Sequence, residues 1–125
     1  DQTSRQIWIG AGIGITPFIA RMKHLARMPD HQDRIDLFHP TRDFSQAAID
    51  KLTADAKAAN VHLHLLVDGR DGRLDGEQIR TVLPDWKNAS IWFCGPPLFG
   101  QSLRKDVVAH GLAPSRFHQE LFQMR

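Results

Sequence analysis

Apolar residues in this chain fall into short runs separated by stripes at helical spacing. Ile7-Trp8-Ile9, closed by glycine, reads as a buried strand. A glycine-rich turn, Gly10 to Gly14, follows it. Thr16-Pro17 then predicts a helix start, because threonine can cap free N–H groups and proline is pre-shaped for the first turn. Phe18, Met22 and Leu25 recur at helical spacing with Ile19 and Ala26 beside them, and Pro29 is the expected stop. Ile35-Asp36-Leu37-Phe38 is a second strand, with Pro40 and Asp43 marking a loop. Ser45, Ile49, Leu52, Ala56 and Ala59 then alternate four and three apart, a second helical stripe. From Val61 to Val67 the pattern first alternates, with His62 and His64 between apolar residues, and then becomes continuous, giving a third strand. The 68–73 stretch, Asp-Gly-Arg-Asp-Gly-Arg, is a turn-rich loop. Asp75 can cap a short helix through Leu83, stopped by Pro84. Ile91-Trp92-Phe93-Cys94 is a fourth strand, broken by Gly95-Pro96-Pro97. A last helix is expected from about Leu98 to His110, with Gly111 as its stop. Arg116 to Glu120 makes a fifth strand.

This β-α alternation predicts a single α/β domain over residues 1–125. The expected form is a Rossmann-like, doubly wound parallel five-stranded sheet with helices on both faces. Ligands of such sheets sit beyond the carboxyl ends of the strands, so the loops that follow the strands carry the interest. Composition narrows the classes. The 125 residues suffice for a hydrophobic core, and 42% hydrophobic with 24% charged is ordinary for a globular protein. Sixteen Lys and Arg against 14 Asp and Glu leave a net charge of +2, too little for a nucleic-acid surface. One cysteine allows no internal disulfide, which suits a reducing compartment. No apolar run approaches a membrane span and no signal peptide is visible, so the expected location is cytoplasmic. The chain starts at Asp1 and enters a strand by Ile7, which reads as a segment cut from a longer chain.

At the strand ends, Gly12-Ile13-Gly14-Ile15-Thr16-Pro17 would let backbone approach a pyrophosphate beside a helix N-terminus, or would serve only as a tight strand-to-helix turn. Thr41-Arg42 suits a ribose 2′-phosphate, since guanidinium grips phosphate bidentately; Asp43 would instead serve a ribose, and a plain surface turn is the alternative. Arg70 and Arg73 can add charge at the same end or simply be solvated. Cys94-Gly95-Pro96 offers a narrow platform for a flat ring, or a core cysteine with a chain break. Glu120 and Phe122 bring a carboxylate and an aromatic past the last strand. The seven histidines are dispersed without HExxH or Cys/His spacing, so no metal site is expected.

Taken together, Gly12 to Pro17, Thr41-Arg42, Gly72-Arg73, Cys94-Gly95-Pro96-Pro97 and the Glu120–Phe122 end resemble, over essentially the whole chain, the C-terminal domain of the ferredoxin–NADP reductase superfamily. Within it the chain looks most similar to bacterial ferric reductase and NADPH oxidase-like proteins. The resemblance implies an NAD(P)H-dependent flavoprotein oxidoreductase in which this domain positions nicotinamide for hydride transfer to FAD, with electrons passing on to iron, haem or oxygen. Gly12, Gly14, Thr16 and Pro17 would face the pyrophosphate, and Thr41 and Arg42, with Arg73, the adenosine end. Cys94, Gly95 and Pro96 would border the nicotinamide. Glu120 would sit near the hydride-transfer site and Phe122 would cover the flavin ring. NADP(H) is favoured, with NAD(H) the other choice. FAD would be held mainly by a preceding barrel domain of the same parent chain, absent here, so this domain alone would be inactive. The oxidase-like branch would add a haem-bearing membrane domain. The competing reading is a non-catalytic nucleotide-binding regulatory module, which needs the glycine turn but not Cys94, Glu120 or Phe122.

Overall fold

The structure is a computed structural model that describes residues 5–28, 30–31, 33–42, 45–68 and 70–119. Five strands, β1 (Arg5–Gly10), β2 (Arg34–Thr41), β3 (Val61–Val67), β4 (Ser90–Cys94) and β5 (Phe117–His118), form one sheet in the order β3-β2-β1-β4-β5. Every pairing is parallel. Helices α1 (Thr16–Leu25), α2 (Gln46–Ala58), α3 (Gly76–Val82) and α4 (Pro97–Ala109) connect them. The doubly wound expectation therefore holds.

The two-residue strand period divides the buried side chains between two cores. Trp8, Ile35, Leu37 and Val61 face α1 and α2, meeting Phe18, Met22, Leu25, Leu52 and Ala56. Ile7, Ile9, Phe38, Ile91 and Phe93 face α3 and α4, meeting Ile79, Leu103 and Val107. The helix signals mostly act as read. Ser45 Oγ accepts from the Ala48 N–H at 3.3 Å, and Asp75 Oδ1 accepts from the Gln78 N–H at 2.8 Å. Gly111, at φ 115°, ends α4: its N–H donates to Val108 O and the Leu112 N–H to Val107 O at 2.9 Å, a Schellman closure.

Several details differ from the sequence reading: Ser45 caps α2 rather than joining its stripe, and the last strand is shorter than Arg116 to Glu120, with Arg116 in a 3-10 turn and β5 covering Phe117–His118. Thr16 does not cap α1; a 3-10 turn over Gly12–Ile15 runs straight into the helix, and the Thr16 N–H donates to Ile13 O. Helix α1 ends at Leu25, and Pro29 lies outside the described residues. Strand β2 continues to Thr41, past Phe38 and through Pro40. That proline is tolerated for a geometric reason. Thr41 O faces β3, where it accepts the Asp68 N–H at 2.8 Å, so by alternation the Pro40 nitrogen faces the β1 side. Pairing with β1 has already ended at Ile9–Phe38, so no ladder bond is lost.

Candidate functional site

The sheet order reverses between β1 and β4, which places the two following turns side by side. They are bound together by backbone. The Ala11 N–H donates to Cys94 O at 2.9 Å, and the Gly14 N–H to Ala11 O at 2.9 Å. A Cβ on Gly14 would collide with the Cys94 carbonyl, so this buried glycine is required by contact between the turns. Gly12 is different. It is exposed at φ 58°, and a Cβ there would meet nothing within 4 Å. Its backbone therefore borders open space at the entrance to α1, where a helix N-terminus favours an anion. Thr16 and Pro17 lie exposed in the first turn of that helix.

Cys94 ends β4 half-buried, packed against the α1/α2 core, and burial pushes its thiol pKa up. Gly95 is half-buried and Pro96 exposed at the N-terminal boundary of α4. Two apolar side chains stand out here: Ile13, on the first turn, is 94% exposed and Leu98, in the first turn of α4, 77%.

Next to β1, the end of β2 brings Thr41 and Arg42 to the same edge. Thr41 is half-buried in the strand rather than in a loop. Arg42 Nε lies 3.6 Å from Asp68 Oδ2, both groups being open to solvent. Arg70 pairs with Asp71, whose Oδ2 also accepts the Val67 N–H at 2.9 Å, so it stabilises its own turn. Arg73 is exposed in the segment before α3. Asp43, Glu120 and Phe122 lie outside the described residues.

The structure adds one residue that the sequence reading passed over. His39 is buried, and its Nδ1 donates to Gly10 O at 2.6 Å. A carbonyl only accepts, so Nδ1 carries the proton. Burial pulls the imidazole pKa down and outweighs the opposing effect of that hydrogen bond. A neutral His39 thus ties the end of β2 to the start of the glycine turn. Strand alternation could have flagged a ring on the inward face, but not the carbonyl it meets.

Among the described residues, no helix is long and apolar enough to cross a membrane. The Asp36, His62 and His64 side chains gather near the other end of the strands.

Comparison with known proteins fits this geometry. The family model for the oxidoreductase NAD-binding domain matches residues 8–105. A carnitine monooxygenase reductase subunit of Escherichia coli is 30% identical over 121 residues, covering 94% of this chain and 35% of its own length. A flavohemoprotein of Bacillus subtilis is 26% identical over 134 residues, covering 93% and 32%. The chain thus spans about a third of these curated relatives. Among solved structures, a cytochrome P450 reductase of Amycolatopsis superposes with TM-score 0.71 at 24% identity, covering 96% of this chain and 38% of that one. The flavohaem-like FAD/NAD-binding domain of a nitric oxide dioxygenase from Vibrio cholerae gives TM-score 0.70 at 17% identity, covering 94% and 50%. Glycine turn, strand order and family match agree: this chain belongs to the oxidoreductase NAD-binding domain family.

Proposed function

We propose that this domain binds NADP(H) across the carboxyl edge of its sheet and presents the nicotinamide to an FAD held by another domain of the same parent chain. The observation that carries this reading is the bonded pair of turns after β1 and β4, with the Gly12 backbone left open at the head of α1. That edge fits a dinucleotide. The Gly12–Pro17 segment offers backbone and a helix N-terminus to the pyrophosphate. Thr41 and Arg42 receive the adenosine end, with Arg42 favouring a 2′-phosphate and so NADPH over NADH; Arg73 adds positive charge there. Cys94, Gly95 and Pro96 border the nicotinamide, while Glu120 lies by the transferred hydride and Phe122 covers the flavin.

When bound, the nicotinamide supplies a hydride and the flavin accepts it. The chain's own residues position and shield. Gly14 seats the first turn on the Cys94 carbonyl, and His39 fixes the strand from which that turn leaves. The pocket wall is thus set before any ligand arrives, which reduces the ordering cost of binding. Exposed Ile13 and Leu98 flank the crevice and suit burial under the flavin domain. The parent would be an NAD(P)H-dependent flavin reductase of the ferric reductase type, on the cytoplasmic side of the membrane, passing electrons to iron, haem or oxygen. A haem-bearing membrane domain before the flavin domain would complete the oxidase-like form.

Titration of the labelled chain with NADPH tests the binding reading. Amide shifts in 10–17, 41–42 and 94–97 are expected. Shifts confined to other regions, or none at millimolar nucleotide, would reject it.

A further inference from the structure

Near the amino ends of β2 and β3, parallel register sets Asp36 opposite His62 and Phe38 opposite His64. The strand period then brings Asp36, His62 and His64 to one face of the sheet. Helices α3 and α4 bury this face over the inner strands and at Leu66 of β3, but the start of that outer strand remains open at His62. The His62 side chain is 76% exposed, against 20% for His64 and 11% for Asp36. His64 Nε2 lies 2.7 Å from Asp36 Oδ1, and His62 Nδ1 lies 3.6 Å from the same oxygen. The three ligand atoms all fall within 4.8 Å of one another. Stacking holds the rings: His64 on Phe38 at 4.5 Å and His62 on His64 at 4.7 Å. Arg5 Nη1 donates to the other carboxylate oxygen, Oδ2, at 2.7 Å, so Oδ1 is the one turned to the imidazoles. The exposed His62 side chain gives this corner of the sheet access from solvent.

We propose that Asp36, His62 and His64 form a binding site for a divalent transition-metal ion of the zinc class. A simple His64–Asp36 hydrogen bond accounts for two of the three side chains. It leaves unexplained why an exposed His62 turns its Nδ1 toward a carboxylate oxygen that His64 already bonds. One ion accounts for all three. A tetrahedral ion with bonds of about 2.0–2.1 Å separates its ligand atoms by roughly 3.3 Å. The observed 2.7 and 3.6 Å lie on either side of that spacing, and binding requires the two imidazoles, now stacked at 24°, to rotate until both lone pairs meet one ion. Two imidazoles with one carboxylate suit zinc, cobalt, nickel or copper, whereas magnesium and calcium prefer oxygen ligands. Arg5 becomes the outer partner that orients the carboxylate; its charge lowers the affinity without occupying a ligand position. The fourth position opens to solvent. Bound there, the ion clips the outer strand β3 to β2, far from the glycine turns.

The test uses the untagged 125-residue chain, stripped with chelator and dialysed. Co(II) should produce the visible absorption of tetrahedral nitrogen–oxygen coordination. Zn(II) should bind by calorimetry with a single equivalent and raise the melting temperature, while Mg(II) does neither. His62→Ala removes an exposed ligand and should leave the metal-free melt unchanged, yet weaken Zn(II) binding by about tenfold or more. His64→Gln can keep a hydrogen bond to Asp36 but should lose the ion to a similar degree. His24→Ala, elsewhere on the surface, should bind Zn(II) like the parent. Undiminished Zn(II) affinity in both His62→Ala and His64→Gln, or a parent chain with no Zn(II)-dependent change in melting, would overturn the proposal.

Discussion

Arg42 follows directly after β2, with its side chain 86% exposed and only a loose, 3.6 Å approach to Asp68. An exposed pair of that kind contributes little, so a phosphate dianion can displace the carboxylate. A charge-assisted phosphate contact is worth roughly 1.5–3 kcal/mol, and exposure pushes Arg42 to the low end. Arg42→Ala should therefore weaken NADPH binding severalfold while NADH binding barely changes. Equal losses for the two nucleotides would show that Arg42 does not read the phosphate. Cys94 allows a separate check. Burial pushes its thiol pKa up, so in the proposed site it would act by contact rather than as a thiolate. In the complete reductase, Cys94→Ala should slow flavin reduction in stopped flow and leave nucleotide affinity nearly intact, because the contact matters mainly in the transition state. A variant whose melt collapses would mark Cys94 as a core residue instead.

Helix ends show how far local sequence reaches. Asp75 caps as its sequence implies and Ser45, read as part of the helical stripe, caps as well, with unequal bonds: 2.8 Å to a carboxylate and 3.3 Å to a hydroxyl. Capping residues contribute about 0.5–2 kcal/mol. Asp75→Ala should cost toward the upper part of that range and Ser45→Ala toward the lower, measured by urea denaturation; the reverse order would contradict the assigned geometry. The same local logic made the Gly111 stop and the five strands readable, since each depends on neighbours within a few residues. Thr16 misled because a 3-10 turn upstream already supplies the partner for its N–H. Pro40 looked like the end of a strand because the bonding side of its nitrogen depends on where β1 stops, which is not a local property. His39 and the Asp36–His62–His64 group were unreadable for a related reason. Their partners come from adjacent strands, and spacing along the chain does not report register. The glycine turn was located correctly, but the separate duties of Gly12 and Gly14 emerge only when β4 arrives beside it.

At the level of the whole chain, both faces of the sheet carry a closed core, so the domain should fold by itself with one cooperative melt. What it cannot supply is an electron acceptor. Its one cysteine rules out an internal dithiol couple, and that thiol is kept protonated. On the proposed function, a hydride leaving a nicotinamide at the β1/β4 crevice needs an acceptor brought from outside, and the exposed Ile13 and Leu98 suit the side from which it would come. With that side uncovered, only phosphate, adenosine and one wall of the nicotinamide pocket contribute to affinity. The purified chain should consequently bind NADP(H) weakly, remain colourless after incubation with FAD and desalting, and oxidise no NADPH with ferric or dye acceptors. Joined to the flavin domain proposed for its parent and supplied with FAD, it should do so readily. Replacing Ile13 and Leu98 with Ser in that joined protein should lower the rate of flavin reduction at saturating NADPH while the melt of the nucleotide domain stays put, because both side chains are largely exposed among the described residues. A colourless isolated chain that still oxidised NADPH would place the acceptor inside this domain and end the case for a partner.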